Sequence, residues 1–457
     1  MKNRIDMLNG PLMKNILLYT LPVIATGVLQ LLFNAADLIV VGQFCGSKCI
    51  AAVGATGSLV NLIVNFFIGF SVGGGVIVAQ NMGKKRYDTV SQSVHTSMLL
   101  AVFCGIILTA IGLIVSKWAL GIMNTPEDVI DLSALYLKIY FIGSVPNLIY
   151  NFGAAILRAV GDTKYPLIFL SIGGIVNIIL NFLFVTLFGM DVDGVATATV
   201  ISQTISALFI VRALMKRTDA CKLILKNLKI SWKRVGEMFK IGIPAGLQSS
   251  VFSISNVIIQ SSVNSFGAIA LSGHAAAQSI DGFVMAAANS FDQPSMNFTA
   301  QNYGAGNFKR IKRIVITSML CATMVGLTVG LGIFALGKPL LSIYINDSAE
   351  AISYGMLRLG ITAPLYFLCA IMNVLGGAVR GLGHSFAPMV NAVFGACVLR
   401  IVFIFTLFKL PAYHSLQALY FSYPVTWIIT CGLQAVTLII VLKKIMKSHV
   451  PLNSAET

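Results

Sequence analysis

Long apolar runs separated by short charged or turn-forming stretches dominate the chain. They predict twelve helices, at roughly 15–41, 51–79, 94–117, 134–157, 165–188, 194–215, 240–263, 270–300, 314–336, 357–379, 388–408 and 417–442. A helix rising about 1.5 Å per residue crosses a hydrocarbon core of about 30 Å in some 20 residues, so these runs read as membrane spans. The first, LLYTLPVIATGVLQLLFNAADLIVVG (17–42), contains Pro22 and, fifteen residues later, Asp37. An acid inside a span costs about 2.5–3.5 kcal/mol on insertion scales, so it faces a protein interior or a wet cavity and marks a functional site by default.

A second pattern lies over the first. Shifted by about 222 positions, the chain matches itself. Ala79-Gln80-Asn81-Met82-Gly83 faces Ala300-Gln301-Asn302-Tyr303-Gly304, and Thr96–Leu99 faces Thr317–Leu320. Asn151, Arg158, Gly161 and Pro166 face Asn373, Arg380, Gly383 and Pro388, while Pro22 faces Pro244. An even number of spans per repeat brings both halves in from the same side of the bilayer, with a cavity expected between them. The predicted organisation is a first lobe over 1–215, a basic linker over 216–239, and a second lobe over 240–457 ending in a short tail. The linker's KLILKNLKISWKRVGEMFK stretch (222–240) reads as an amphipathic surface helix or as a solvated loop. Where the halves differ in charge, function is the better guess. Asp37 faces Ile259, so the acid belongs to the first half alone.

Composition agrees with a multi-pass membrane protein. Hydrophobic residues make up 57% of the 457 and charged residues only 11%, against about a quarter in soluble domains. The net charge of +16 raises nucleic acid as a partner, but the positions of the basic residues exclude it. With the N-terminus cytoplasmic, 25 of the 32 Lys and Arg fall on inner segments, six on outer loops or helix ends, and Arg400 alone within a span. The charge therefore reflects the positive-inside rule and gives both termini a cytoplasmic location. The first apolar run is too long for a cleavable signal and is expected to stay as a helix. Six cysteines are scattered singly. Cys45 and Cys49, four apart in the first outer loop, read as two free thiols, with a disulfide as the alternative. The five histidines are dispersed, and the Gly73–Gly75 cluster lacks a phosphate-loop lysine, so helix packing explains it better.

The first-span arrangement of Pro22, Asp37, Val41 and Gly42, the two Ala-Gln-Asn-x-Gly segments, the LRAVGDTKYP run (157–166) and AQNYGAGNFKR (300–310) together resemble the multidrug and toxic compound extrusion (MATE) family over nearly the whole chain. The branch it resembles is the bacterial one with an acid in the first span and none in the seventh. The resemblance implies a V-shaped pair of six-helix lobes that exports organic, often cationic amphipathic compounds against inward H⁺ or Na⁺. It implies a monomer in the bacterial cytoplasmic membrane, with a small-molecule substrate, the lipid bilayer as its other partner, and no enzymatic activity or cofactor. It also implies a cation- or proton-binding cluster composed of Asp37 and Gln30 in the first span, Asn177 and Asn181 in the fifth, and Thr199 in the sixth. Familiar members carry Asn-x₃-Asp in the fifth span. This chain reads Asn177-Ile178-Ile179-Leu180-Asn181, so one titratable carboxylate remains.

A carboxyl group removed from water favours its protonated form and can load and release a proton. Ionised, it could instead offer oxygen ligands to Na⁺ together with the amides and Thr199. A single acid holds a bare cation less well, which favours H⁺. Pro22 reads either as a hinge or as an architectural kink, since Pro244 occupies its repeat position. In the second half, Asp281 and Asp292 lie eleven residues apart, about three turns of one helix, and Arg400 is expected to pair with one of them. The other acid would then serve substrate or a second proton, unless all three are purely structural. Gln248, Asn256 and Gln260 of the seventh span are expected to line the same cavity. Two rival functions follow. A lipid-linked oligosaccharide flippase of the same superfamily should have a basic cavity. A membrane-embedded enzyme would need Asp281 and Asp292 as a catalytic pair.

Overall fold

The computed structural model describes residues 4–123, 125–345 and 348–448, so His449 and most of the expected tail lie outside the described residues. Helices account for nearly all of the described chain. Ten are long and apolar enough to cross a membrane. An eleventh span is supplied by two helices, 127–142 and 144–159, bent by 48° at Gly143. The expected eighth span, 270–300, fails that apolarity test. It is broken into two helices and carries His274, Gln278, Asp281, Asn289, Asp292 and Gln293.

Chain order is as follows. α1 (Leu12–Phe44), α2 (Ser47–Gly83) and α3 (Tyr87–Ile122) precede the bent pair α4 (Glu127–Ile142) and α5 (Ser144–Ala159). α6 (Lys164–Phe182) runs into a π-helical turn (Leu183–Leu187), and α7 (Val192–Met215) follows. The second half comprises α8 (Trp232–Asn264), α9 (Ala268–Asn289), α10 (Asp292–Gly304), α11 (Phe308–Ala335), α12 (Gly337–Tyr344), α13 (Ala349–Thr362) and α14 (Tyr366–Gly381). α15 (Phe386–Ala392) and α16 (Leu399–Phe405) flank a second π-helical stretch (Val393–Val398), and α17 (Leu416–Ser448) ends the described chain.

The residues fall into two compact units, 1–6 with 17–254 and 7–16 with 255–457. In the first, small residues let helices approach closely. A side chain at Gly69, Gly73 or Gly246 would run into the facing backbone of α8 or α2. α1 passes unbroken through Pro22, and Thr26 Oγ1 donates to the Pro22 carbonyl at 2.7 Å. In the second unit, α10, α11, α14 and α17 bury Ile311, Leu375, Ala378 and Leu438 together.

The linker does not form the amphipathic surface helix. From Lys216 to Ser231 it is non-helical apart from one 3₁₀ turn, Leu225–Asn227, and helix resumes at Trp232. Its apolar residues Cys221 and Leu223 are buried two apart, an extended-chain spacing, and the Leu223 N–H bonds the Leu214 carbonyl. Arg217 and Asp219 stitch this stretch down at 2.6 Å, and Asp219 accepts the Cys221 N–H. Burial draws the Asp219 carboxyl upward, but Arg217 more than offsets this and holds it below the usual carboxylate range.

Candidate functional site

The first-half cluster assembles from three helices. Asn181 lies one turn past Asn177 on α6, so both amides face the same way. α1 brings Asp37 opposite Asn181, and α7 brings Thr199 opposite Asn177. Asn181 Nδ2 donates to Asp37 Oδ1 at 2.5 Å and to Asn177 Oδ1 at 3.2 Å. Asn177 Nδ2 donates to Thr199 Oγ1 at 3.3 Å, and Thr199 donates to the Val195 carbonyl at 3.0 Å. The result is a continuous chain of hydrogen bonds ending on one carboxylate. Asn181 Oδ1 is buried without a partner, which leaves a strong acceptor unsatisfied beside the acid. The α-helix gives way to the π-helical turn two residues after Asn181, and such turns are frequent at functional sites.

Gln30 does not join this chain. It shares a face of α1 with Asp37, seven residues or about two turns away, but it is exposed and no hydrogen bond of its side chain to the cluster is found among the described residues. Two residues that sequence reasoning missed stand near Asp37, and a third bonds one of them. Tyr136 and Tyr140 on α4 lie within reach of its charge, their rings stacked 6.2 Å apart, and Gln203 on α7 hydrogen-bonds Tyr140. One helical turn separates the two tyrosines. That spacing was a weak signal, and ordinary core packing would produce it too.

The second half corrects the expected ion pairs. Arg400 does not pair with either acid. Asp281, 1% exposed, pairs with Arg358 at 2.9 Å and accepts from Thr362 Oγ1 at 3.2 Å. Arg358 also contacts the His274 ring at 2.7 Å, and His274 Nδ1 meets the Tyr420 hydroxyl at 3.1 Å. Asp292 pairs separately with Arg380 at 2.6 Å. The helix breaks at Ser290 and Phe291, so the eleven-residue spacing does not run along one continuous helix. Arg400 instead stacks 4.2 Å over the Tyr423 ring and donates to Thr426 Oγ1 at 2.8 Å, with no carboxylate partner among the described residues. The signal for Arg358 was obscured because α13 starts at Ala349, eight residues before the span expected from hydropathy. What looked like a helix-end arginine sits more than two turns inside.

Of the seventh-span residues, all on α8, Gln248 is buried in the first unit. Asn256 is exposed and Gln260 half-buried, both in the second unit. The repeated motifs keep matching local geometry. Asn81 donates to the Ile77 carbonyl and Asn302 to that of Phe298, each at 2.8 Å and four residues back. Gly161 and Gly383 both adopt left-handed φ, 89° and 90°, which an L side chain rarely tolerates. All eight cysteines are free, and Cys45 and Cys49 come together with Asp191 as a possible metal-holding group.

The MatE family model matches residues 22–183 and 244–406, two stretches offset by 222 residues. The chain is 29% identical over 398 residues to the probable multidrug resistance protein YpnP of Bacillus subtilis, covering 87% of this chain and 89% of that protein. It is 27% identical over 403 residues to the probable multidrug resistance protein NorM of Thermotoga maritima, covering 87% and 86%. Among solved structures, a MATE crystal structure in complex with MaL6 has a TM-score of 0.90 at 20% identity, with 98% and 100% of the two chains covered.

Proposed function

The chain belongs to the MatE (multidrug and toxic compound extrusion) family, and from that premise we propose that it is a proton-coupled exporter of organic, often cationic amphipathic compounds. It works as a monomer in the bacterial cytoplasmic membrane, with both termini inside and an ion gradient, not ATP, as its energy source. One observation carries the reading: the Asp37–Asn181–Asn177–Thr199 chain leaves a single carboxylate in a span bonded only to an amide.

The donor set is what favours H⁺ over Na⁺. One carboxylate can hold a proton, whereas a hard cation needs several oxygens converging on it. In the ionised state Asp37 accepts from Asn181. On protonation it becomes a donor, and the unpartnered Asn181 Oδ1 can accept from it once the amide turns over. The switch is local, and it reverses the polarity of the bond joining α1 to α6. Pro22 leaves one backbone carbonyl of α1 without its helical partner, and in this reading it lets the helix respond as a hinge. The buried arginines argue against a flippase with a basic cavity. Arg358 and Arg380 are neutralised by Asp281 and Asp292, leaving Arg400 as a buried cation on an aromatic ring.

The test is ethidium accumulation in everted vesicles, whose cytoplasmic face is outward so that export reads as uptake, wild type against Asp37→Asn, with a pH gradient and a Na⁺ gradient imposed separately. The expected result is uptake driven by the pH gradient alone and abolished in Asp37→Asn, with folding checked by gel filtration. Uptake driven by Na⁺ alone would refute proton coupling, and full activity of Asp37→Asn would remove the acid from the mechanism.

A further inference from the structure

A second chemical grouping lies away from this cluster. Cys45 is the first residue past α1, Gly46 turns the chain with φ 85°, and Cys49 sits in the first turn of α2. Asp191, 142 residues beyond Cys49 in sequence, is the residue immediately before α7. The two sulfurs and an Asp191 carboxylate oxygen all lie within 4.8 Å of one another. Asp193 is adjacent, and its Oδ1 accepts the Asp191 backbone N–H at 3.0 Å.

We propose that Cys45, Cys49 and Asp191 form a binding site for a thiophilic divalent cation of the zinc class, with Asp193 or a water completing four ligands. Three observations support it. First, the donor set is right. Two thiolates and a carboxylate are ordinary zinc ligands, and Cys-x₃-Cys falls within the usual spacing of paired cysteine ligands. Second, the size is right. Bonds of about 2.0–2.3 Å in a tetrahedron place ligand atoms roughly 4 Å apart, which side-chain rotation reaches from the observed separations. Third, the carboxylates are available: neither Asp191 nor Asp193 has a salt-bridge partner among the described residues. Binding requires each sulfur to release its proton to solvent as it bonds the metal, so affinity falls as pH falls.

The placement gives the site a structural consequence. Asp37 lies eight residues before Cys45 (45 − 37), and Thr199 lies eight residues after Asp191 (199 − 191). Each interval is about 12 Å of helix. A bound ion therefore clips together the ends of α1, α2 and α7, fixing the spacing of two helices that hold the Asp37 cluster. The cation site itself does not depend on the transport reading, because it is tested by binding alone.

The experiment titrates the purified full-length protein, in detergent with a non-chelating phosphine reductant, with Zn²⁺ against a chromophoric chelator. Co²⁺ is added in parallel to report thiolate ligation by its charge-transfer absorption. The expected result is one Zn²⁺ per chain, a cobalt–thiolate band, and a rise in melting temperature with added metal. Outer-shell changes at metal sites weaken affinity about 10–100-fold, so loss of a ligand in Cys45→Ser or Cys49→Ser should weaken it at least as much. Asp191→Asn should weaken binding and Asp191→Cys should tighten it. Asp191 is exposed, which keeps these two variants informative even where a cysteine variant fails to fold. Three results would overturn the proposal: unchanged affinity in Cys45→Ser/Cys49→Ser, no zinc bound by wild type with both thiols shown reduced, or a Cys45–Cys49 disulfide in freshly isolated membranes.

Discussion

The half-buried Asp37 and the buried Asp281 differ most in how each is compensated. Asp37 accepts a neutral amide, whereas Asp281 is paired with Arg358 and bonded by Thr362. A group that must change protonation cannot have a permanent counter-charge in contact, since that holds it ionised. Asp281 therefore reads as structural, and the prediction follows from the energetics of buried pairs. Removing one partner strands the other charge and costs about 3–5 kcal/mol, while replacing both with apolar residues is often near neutral. Arg358→Met should accordingly lower the melting temperature sharply in detergent, and Arg358→Met/Asp281→Leu should recover most of the loss. A double variant as unstable as the single one would show that the pair, with His274 and Tyr420 around it, does more than cancel charge. Of the residues named from sequence, Asp37, Asn177, Asn181 and Thr199 meet one another in the structure, but the ion-pair partners in the second half were not legible. Arg400 and Arg358 carry the same charge in similar apolar surroundings. Only their three-dimensional neighbours, Tyr423 for one and Asp281 for the other, distinguish them.

At the scale of helices, apolar length located the spans, but α3, α8, α13 and α17 run five to eight residues past an expected end, and it could not show where a span bends or breaks. The 48° bend at Gly143 and the interruption at Ser290 and Phe291 both fall inside runs expected as single spans, 134–157 and 270–300. The contact between α2 and α8 can be tested directly. A Cβ at Gly73 would meet the Met238 carbonyl, whereas one at Gly57 on the same helix meets nothing within 4 Å. Gly57→Ala should be neutral or stabilise by roughly 0.5–1 kcal/mol, the usual gain for replacing a mid-helix glycine. Gly73→Ala should destabilise and lower the yield of folded protein. Equal thermal stability of the two variants would mean that this close approach is not needed.

For the whole molecule, the arrangement of charge makes its own prediction. Single exposed cysteines introduced into a cysteine-free background should report opposite sides of the membrane. Lys48→Cys should react with a membrane-impermeant maleimide in intact cells, and Lys226→Cys only after the membrane is opened. Labelling of Lys226→Cys in intact cells would invert the topology and with it the direction of export. That expectation needs only the sequence, because the partition of Lys and Arg acts on each loop locally. Membrane class, span positions and the internal repeat were determined in the same way. Class and span positions depend on solvation cost summed along a local stretch, and the repeat on residue identities at a fixed offset; a linear chain records both. The tertiary structure alone decided which charges meet, whether the linker coils into a helix, and that Asp191 stands beside two thiols 142 residues and more away. Those outcomes depend on distances between residues remote in sequence, where a shift of one helical turn changes the partner while leaving the composition of every span unchanged.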